Sequence, residues 1–547
     1  MKMKWWKLLV LMLAFAMLFA LGCADEGEEA EEAEEATETT EEAAEVEEAA
    51  PEQTVLRLAM DADPVSLDPH VQLSGGMLQY SHMVFDSLVR WTQDGQIEPR
   101  LATSWEQIDD TTLRFHLRDD VTFHSGNHFT AEDVAWTVAR LKTSQDYKFL
   151  FDPFVEAKVV DEYTVDLISA EPYGLALSMA TYIFPMDAAF YTGTDENGQP
   201  KDAIVKEGPS FANAHESGTG PYMVTEREQG VRNVFTRFEG YWDTESPGNI
   251  DVIEFTPIKE DATRVAAMLA GDVDMIMPVP PQDLGRVEQA EGVQLVTMSG
   301  TRIITLHMNQ ERREEFQDLR VRQAVVHAIN NPGIVETIMK GFATAAGQQS
   351  PEGYLGYNPD LVPRYDLEMA MSLMEEAGYA DGFTVTMICP NNRYVNDEKI
   401  CETAVSMLAK INITVELTTM PKAQYWDEFD ARVADMQMIG WHSDTEDSAN
   451  FFEYLLMCPN TDTGAGQYNS NEYCNPELDA LIAASATEID PAKRAEMLQQ
   501  AEAMAYEDAA FVPLHWQNLS WAGNDNLTIG DIVNVMNFPY FGDLAVQ

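Results

Sequence analysis

The stretch MQMIGWHSDTEDSANFFEYLLMC, residues 436 to 458, closes the most regular part of the chain. Its first five residues follow an acidic segment, are mostly apolar and end at Gly440, which predicts a short buried strand over 436–440. Upstream, the pattern predicts in order a strand (383–388), a helix (397–410), a strand (413–419) and a helix (423–433). This alternation is typical of an α/β fold with a wound sheet.

The same stretch contains a candidate ligand site at the end of its strand. Trp441 and His442 come directly after the apolar run, and three carboxylates follow them, Asp444, Glu446 and Asp447. An indole offers a large apolar face, and a carboxylate beside it offers charge, which suits a small cationic group. The alternative is a tryptophan that packs under a solvated acidic turn.

Further elements lie on both sides of this region. Apolar runs predict strands over 54–60, 303–308 and 511–516, and clean alternation predicts a half-buried strand over 112–118. The last strand places His116 on its solvent face, where a structural role is expected. Thr130 and Asp133 form a capping-box pattern ahead of a helix. A chain of 547 residues is too long for one core, so two or three lobes are expected.

The N-terminus has the pattern of an export signal. Three lysines precede the apolar run Leu8 to Leu21, and Gly22-Cys23 closes it. The run is shorter than the roughly 20 residues that span a bilayer, which favours a signal over an anchor. A small residue before cysteine resembles a lipoprotein processing site, so we expect a signal peptide over 1–22 and lipid on Cys23. A plain secretory signal is the alternative.

Residues 24 to 52 carry fifteen acidic residues and no lysine or arginine. Such a segment buries too little apolar surface to order itself, and its like charges extend it. We therefore expect an acidic disordered tether over 23–52. The net charge of the whole chain is −58, which argues against nucleic acid as a partner.

Four cysteines remain after Cys23. An exported chain meets an oxidising compartment, so an even number of cysteines suggests disulfides. Four cysteines allow three pairings, of which we favour the two that are local in sequence, Cys389–Cys401 and Cys458–Cys474. A zinc site is the alternative, but the chain lacks CxxC or CxH spacing around these residues.

Nine landmarks occur along the chain in one order. They are SLDPH (66–70), LATSWE (101–106), FHLRDDVTFHSG (115–126), FTAEDVAWTVARL (129–141), GTGPY (218–222), RVAAMLAGDVDMI (264–276), LRVRQAVVHAI (319–329), NNRY (391–394) and GWHSDTED (440–447). Together they resemble the extracellular solute-binding proteins of ABC importers, in the peptide/nickel class that includes dipeptide- and oligopeptide-binding proteins. The resemblance runs from about residue 54 to the C-terminus.

The resemblance implies a two-lobed periplasmic-binding-protein fold whose ligand cleft closes by a hinge motion. The core of lobe I is expected over 53–86, 219–298 and 516–547. An extra subdomain of lobe I is expected over 87–218, and lobe II over 299–515. The chain would cross between lobes near residues 298 and 515.

The resemblance also implies roles for single residues. Asp444 matches an aspartate that pairs with the α-ammonium of a bound peptide, and Arg393 matches an arginine that holds the α-carboxylate. Trp441 and His442 are expected to line the pocket. Ser74 and Gly75 are expected to face them from lobe I.

The expected function is capture of short peptides outside the cell and delivery to a membrane permease, by a lipid-anchored monomer without cofactor or metal. Nickel chelates, opines or oligosaccharides are alternative ligands, with His442 as a possible hint of metal. A secreted hydrolase is a remote alternative, because neither HExxH nor GxSxG occurs in the chain. A sensor that uses the same cleft is a further alternative.

Overall fold

The computed structural model describes residues 53–547 except 207, 444, 446 and 462. The predicted signal peptide, Cys23 and the acidic tether lie outside the described residues, and so does Asp444. Residues 53–547 form one compact unit.

The strands come mostly in runs in the first half of the described chain and alternate with helices in the second half. They are β1 (Val55–Met60), β2 (Val89–Trp91), β3 (Ile97–Pro99), β4 (Ala102–Asp109), β5 (Thr112–Leu117), β6 (Phe154–Asp161), β7 (Thr164–Ser169), β8 (Tyr222–Glu228), β9 (Arg232–Arg237), β10 (Val252–Pro257), β11 (Met275–Met277), β12 (Val293–Met308), β13 (Ala343–Ala345), β14 (Phe383–Pro390), β15 (Ile413–Met420), β16 (Met436–Trp441) and β17 (Val512–Asn524).

The helices follow the sequence signals for helix ends closely. They are α1 (Gly75–Val84), α2 (Ala131–Leu141), α3 (Lys148–Phe151), α4 (Ala176–Met179), α5 (Ala188–Tyr191), α6 (Phe211–Ala214), α7 (Asp261–Ala270), α8 (Leu284–Glu288), α9 (Leu319–Ala328), α10 (Asn331–Thr337), α11 (Leu367–Glu376), α12 (Asp397–Leu408), α13 (Lys422–Asp430), α14 (Ser448–Leu455), α15 (Pro476–Thr487), α16 (Pro491–Glu507) and α17 (Ile529–Ile532). The capping box of Thr130 and Asp133 is present at the start of α2.

One large mixed sheet organises the molecule. Its strand order is β15-β14-β16-β12-β17-β11-β1-β10-β9-β8, and β13 pairs with β17. β14 pairs in parallel with both of its neighbours, and so does β1. The predicted wound α/β region is therefore confirmed. Strands β4 to β7 form a separate four-stranded antiparallel sheet in the order β4-β5-β7-β6.

Two long antiparallel strands, β12 and β17, run through the middle of the large sheet. The sequence predicted only the second half of β12 and the first part of β17. In β12 the residues Val293 to Val296 are only half-buried, so the buried-strand pattern begins later. In β17 the half-buried residues 517–519 interrupt the pattern. The pairing register shifts between Ser299 and Ile303, so the ladder is interrupted at the middle of both strands.

The hydrophobic core is divided into separate clusters along these two strands. One cluster holds buried residues from Leu56 to Phe255 and from Trp521 to Leu544, with Met298 packed against it. Two other clusters hold buried residues from Ile303 to Trp516. We call the part around the first cluster lobe I and the part around the other two lobe II. The core of lobe I continues into the four-stranded sheet through Phe115. The exact domain boundaries stay a prediction.

Both expected disulfides are present in the structure. Cys389 bonds to Cys401, and Cys458 bonds to Cys474. The first bridge ties the end of β14 to α12 and so brackets the segment that contains Arg393. The second bridge ties the segment after α14 to the start of α15.

Candidate ligand-binding site

A cavity of about 590 Å³ lies where β16 ends against the N-terminus of α1. Lobe I contributes Leu73, Ser74 and Gly75, and lobe II contributes Arg302, Arg393, Trp426, Asp430, Ile439, Gly440, Trp441, His442 and Tyr468. The structure thus brings five of the six predicted ligand-binding residues to one cavity, although their role in binding stays a prediction. The sixth, Asp444, lies outside the described residues.

Trp441 forms an aromatic wall that is held in place from behind. Its indole N–H donates a 2.7 Å hydrogen bond to Asn450 in α14. Its ring lies 5.3 Å from the ring of Tyr454 and 5.5 Å from that of Tyr468. Because these contacts fix the indole before any ligand arrives, ligand binding does not have to order it.

His442 is a neutral group at physiological pH. Burial, reinforced by the charge of nearby Arg302, lowers the pKa of the His442 imidazole to about 3. Its Nδ1 lies 2.8 Å from the Thr301 hydroxyl, with which it shares a hydrogen bond. Within the described residues, no three His, Cys, Asp or Glu side chains come together as a metal site would need.

Arg393 is presented by a tightly held loop. The backbone N–H groups of Arg393 and Tyr394 both donate to the Asp397 carboxylate, at 2.8 and 2.9 Å. The guanidinium lies over the Tyr394 ring, 4.8 Å from its centre. Its Nε is buried and has no hydrogen-bond partner among the described residues. Such an orphaned donor is costly unless a ligand satisfies it.

Four charged or aromatic residues of the cavity were not predicted from the sequence, and one of them is Tyr468 between α14 and α15. Trp426 and Asp430 come from α13, and Arg302 comes from the interrupted part of β12. A signal for Arg302 was available, because an arginine two positions after Gly300 directly precedes the apolar pair Ile303-Ile304. Trp426 and Asp430 gave no comparable signal, because only the fold brings α13 to the end of β16.

The acidic turn after His442 is anchored by its last carboxylate, which faces the protein interior. Asp447 accepts hydrogen bonds from Arg494 at 2.6 and 3.1 Å, and both side chains are only 2% exposed. It also caps α14 by accepting from the Ala449 N–H at 3.0 Å. Asp447 therefore holds the turn in position and is not offered to a ligand.

Comparison with known proteins agrees with this architecture. Residues 96–463 match the model of the family described as bacterial extracellular solute-binding proteins, family 5 middle. The chain belongs to this family. It is thus a solute-binding protein of an ABC importer, and the suspected peptide/nickel class is confirmed.

The solute-binding protein resembles relatives whose names specify different ligands. It is 27% identical over 494 residues to the dipeptide-binding protein of Escherichia coli K12, covering 84% of this chain and 89% of that one. It is also 27% identical over 477 residues to heme-binding protein A of Haemophilus influenzae, covering 82% and 85%. Among solved structures, the ABC transporter-associated periplasmic binding protein DppA from Helicobacter pylori, in complex with the peptide STSA, superposes with a TM-score of 0.71. That match has 23% identity over 90% of this chain and 98% of the other.

The position of the cavity suits a solute-binding protein of two lobes, a fold that the comparisons confirm. Ser74 and Gly75 approach from lobe I, whereas the aromatic and charged residues belong to lobe II. A solute in this cavity would contact both lobes, so it would favour the closed arrangement by its differential affinity. No helix in the described part of the chain is long and apolar enough to cross a membrane.

Proposed function

We propose that this solute-binding protein captures short peptides outside the cell and delivers them to a membrane permease. The observation that carries the proposal is the orphaned guanidinium Nε of Arg393 in the same cavity as the Trp441 wall. A peptide provides the carboxylate that an arginine fork binds with two hydrogen bonds. The cavity volume of about 590 Å³ lies in the range typical of sites for small molecules.

A free peptide is a zwitterion, so its binding needs an anion as well as a cation. We propose that Asp444 pairs with the α-ammonium group, as the resemblance to dipeptide-binding proteins implies. Two described neighbours of Asp444 in the sequence are held by hydrogen bonds, His442 by Thr301 and Asp447 by Arg494.

The remaining parts of the proposal concern the setting of the protein. We propose that the signal peptide over 1–22 is removed and that lipid on Cys23 anchors the chain on the outer face of a membrane. The segment 23–52 would hold the binding lobes away from that surface. We also propose that the protein acts as a monomer, because docking to a permease uses both lobes. We propose no enzymatic activity for it.

Peptide titration of the processed protein, stripped of carried ligand by partial unfolding and refolding, tests the proposed ligand class. Di- to pentapeptides are compared with their N-acetylated and C-amidated forms by thermal shift. A ligand at 100 times its Kd adds about 2.7 kcal/mol to the free energy of unfolding. We expect free peptides to raise Tm, and we expect either blocking group to abolish the effect.

Two substitutions assign the charged groups. Asp444→Asn should remove the penalty for N-acetylation, and Arg393→Ala should remove the penalty for C-amidation. Matched controls are Asp110→Asn, in the exposed turn between β4 and β5, and Arg286→Ala, whose side chain is 60% exposed. Stabilisation by heme, an opine, a sugar or a nickel chelate, with none by peptides, would overturn the peptide assignment.

A further inference from the structure

A second chamber of about 160 Å³ adjoins the main cavity. The two share five lining residues, namely Leu73, Ser74, Gly75, Arg302 and His442. The residues that line only the second chamber are Leu78, Tyr182, Thr301, Leu519, Val535, Met536, Asn537 and Phe538. The shared set makes the second chamber a side branch of the ligand cavity.

The polarity of the walls changes between the entrance and the interior of this side chamber. Ser74, Arg302 and His442 stand at the shared entrance, whereas six of the eight residues found only inside are aliphatic, aromatic or methionine. Thr301 is already hydrogen-bonded to His442. No carboxylate or lysine is among the lining residues that the structure describes. The interior therefore suits an uncharged apolar group.

The far wall of the side chamber is held by hydrogen bonds. The Asn534 side chain accepts from the N–H groups of Met536 and Phe538, at 3.0 and 3.2 Å. The Gln79 amide of α1 donates to the Asn537 carbonyl at 2.9 Å. Because the loop 534–538 is fixed against α1, the chamber exists before ligand binds and does not collapse onto itself.

We propose that this side chamber is a specificity site for one apolar side chain of the bound peptide. The inference rests on the proposed peptide function. An apolar cavity of about 150 Å³ in another protein holds a benzene molecule, so a chamber of about 160 Å³ takes a leucine, methionine or phenylalanine side chain. A tryptophan exceeds this volume, and a lysine would lose the hydration of its ammonium group without gaining a partner.

A dipeptide series measured by calorimetry tests the specificity site. Gly-Gly is compared with peptides in which Leu, Met, Phe, Trp or Lys replaces one glycine, at each position in turn. At one of the two positions we expect Leu, Met and Phe to bind at least about tenfold more tightly than Gly. At that same position we expect Trp and Lys to show no such gain.

Two substitutions should change the preferred size of the peptide side chain in opposite directions. Leu519→Phe narrows the chamber and should abolish the gain in affinity for Phe. Leu78→Ala widens the chamber and should extend the gain to Trp. Val160→Phe is the matched control, because Val160 is 45% exposed on β6 and lies outside both cavities.

The outcomes separate this inference from the proposed function. Peptides could bind with a ratio of Leu to Gly affinity near one, or with a ratio that is the same in Leu519→Phe and Leu78→Ala as in the parent protein. Either result would overturn the specificity site and leave the peptide function standing. If no dipeptide of the series binds the parent protein and the longer peptides also fail, both are overturned. If the side-chain size that binds most tightly decreases in Leu519→Phe and increases in Leu78→Ala, the result supports the side chamber as the specificity site.

Discussion

At the scale of single residues, the buried ion pair between Asp447 and Arg494 anchors the end of the acidic segment that follows His442. Arg494 also donates to the Ser485 carbonyl, so it ties the turn to the end of α15. The Ser443 hydroxyl donates to the Asp447 carbonyl at 3.0 Å and so closes the turn on itself. Asp447, which does not line the ligand cavity, therefore holds the C-terminal end of the acidic segment.

We expect Arg494→Met to lower the free energy of unfolding by about 3–5 kcal/mol, because Asp447 would keep its charge in a buried site without a partner. Urea denaturation followed by circular dichroism measures the loss. Adding Asp447→Asn should recover part of it, since a neutral amide still caps α14. The exposed Arg286→Met serves as control, with a change of less than about 0.5 kcal/mol. A similar small change for Arg494→Met would contradict the assigned role.

At the scale of elements, helix α16 carries a buried acid that makes stability depend on pH. Glu502 is 1% exposed and accepts hydrogen bonds from the Gln349 amide at 2.7 Å and from the Ser350 N–H at 3.1 Å. Burial raises the pKa of the Glu502 carboxyl to about 7. The protonated carboxyl joins α16 to the loop that follows β13.

The folded state keeps the Glu502 proton up to about pH 7, while the unfolded chain loses it near pH 4.5. The unfolded state thus binds fewer protons between these values, and the contribution of Glu502 to stability falls as pH rises through that window. Glu502→Gln should remove this decrease in the free energy of unfolding, which is at most about 1.4 kcal/mol per pH unit. Urea unfolding of both proteins from pH 4.5 to 8 measures it. Parallel stability curves would contradict the shift, and Glu496→Gln, on the same helix, is the control.

At the scale of the whole molecule, the two lobes touch at a second place besides the ligand cavity. The Gly174 N–H, from the segment before α4, donates to the Ala486 carbonyl in the last turn of α15 at 3.1 Å. A side chain at Gly174 would collide with the Glu488 carbonyl oxygen and crowd Arg494. The close approach of the lobes therefore requires glycine here.

Gly174→Ala should weaken the closed form and thereby raise the Kd for peptide, although Gly174 does not line the ligand cavity. Steric overpacking costs about 1–3 kcal/mol, which corresponds to a Kd about 5 to 150 times higher. Calorimetry gives the Kd, and small-angle scattering with peptide shows whether the molecule closes. Gly285→Ala is the matched control, because a side chain there meets open space. An unchanged Kd would show that this contact does not contribute to closure.

The sequence by itself determined most of the elements and predicted five of the residues that line the cavity. Hydrophobic periodicity and caps located the alternating strands and helices from Phe383 to Trp441, and the order of motifs indicated the family. Local spacing also favoured the correct pairing of Cys389 with Cys401. These features depend on neighbours in the chain, so local patterns suffice to predict them.

The tertiary structure alone decided which distant residues share a cavity and what state they are in. It extended β12 back to Val293, placed Arg302 and Trp426 in one cavity with Trp441, and paired Asp447 with Arg494 outside that cavity. It also buried His442 and so made it neutral. Burial and contacts across the sheet depend on how the elements pack, and no local pattern in the sequence contains that information.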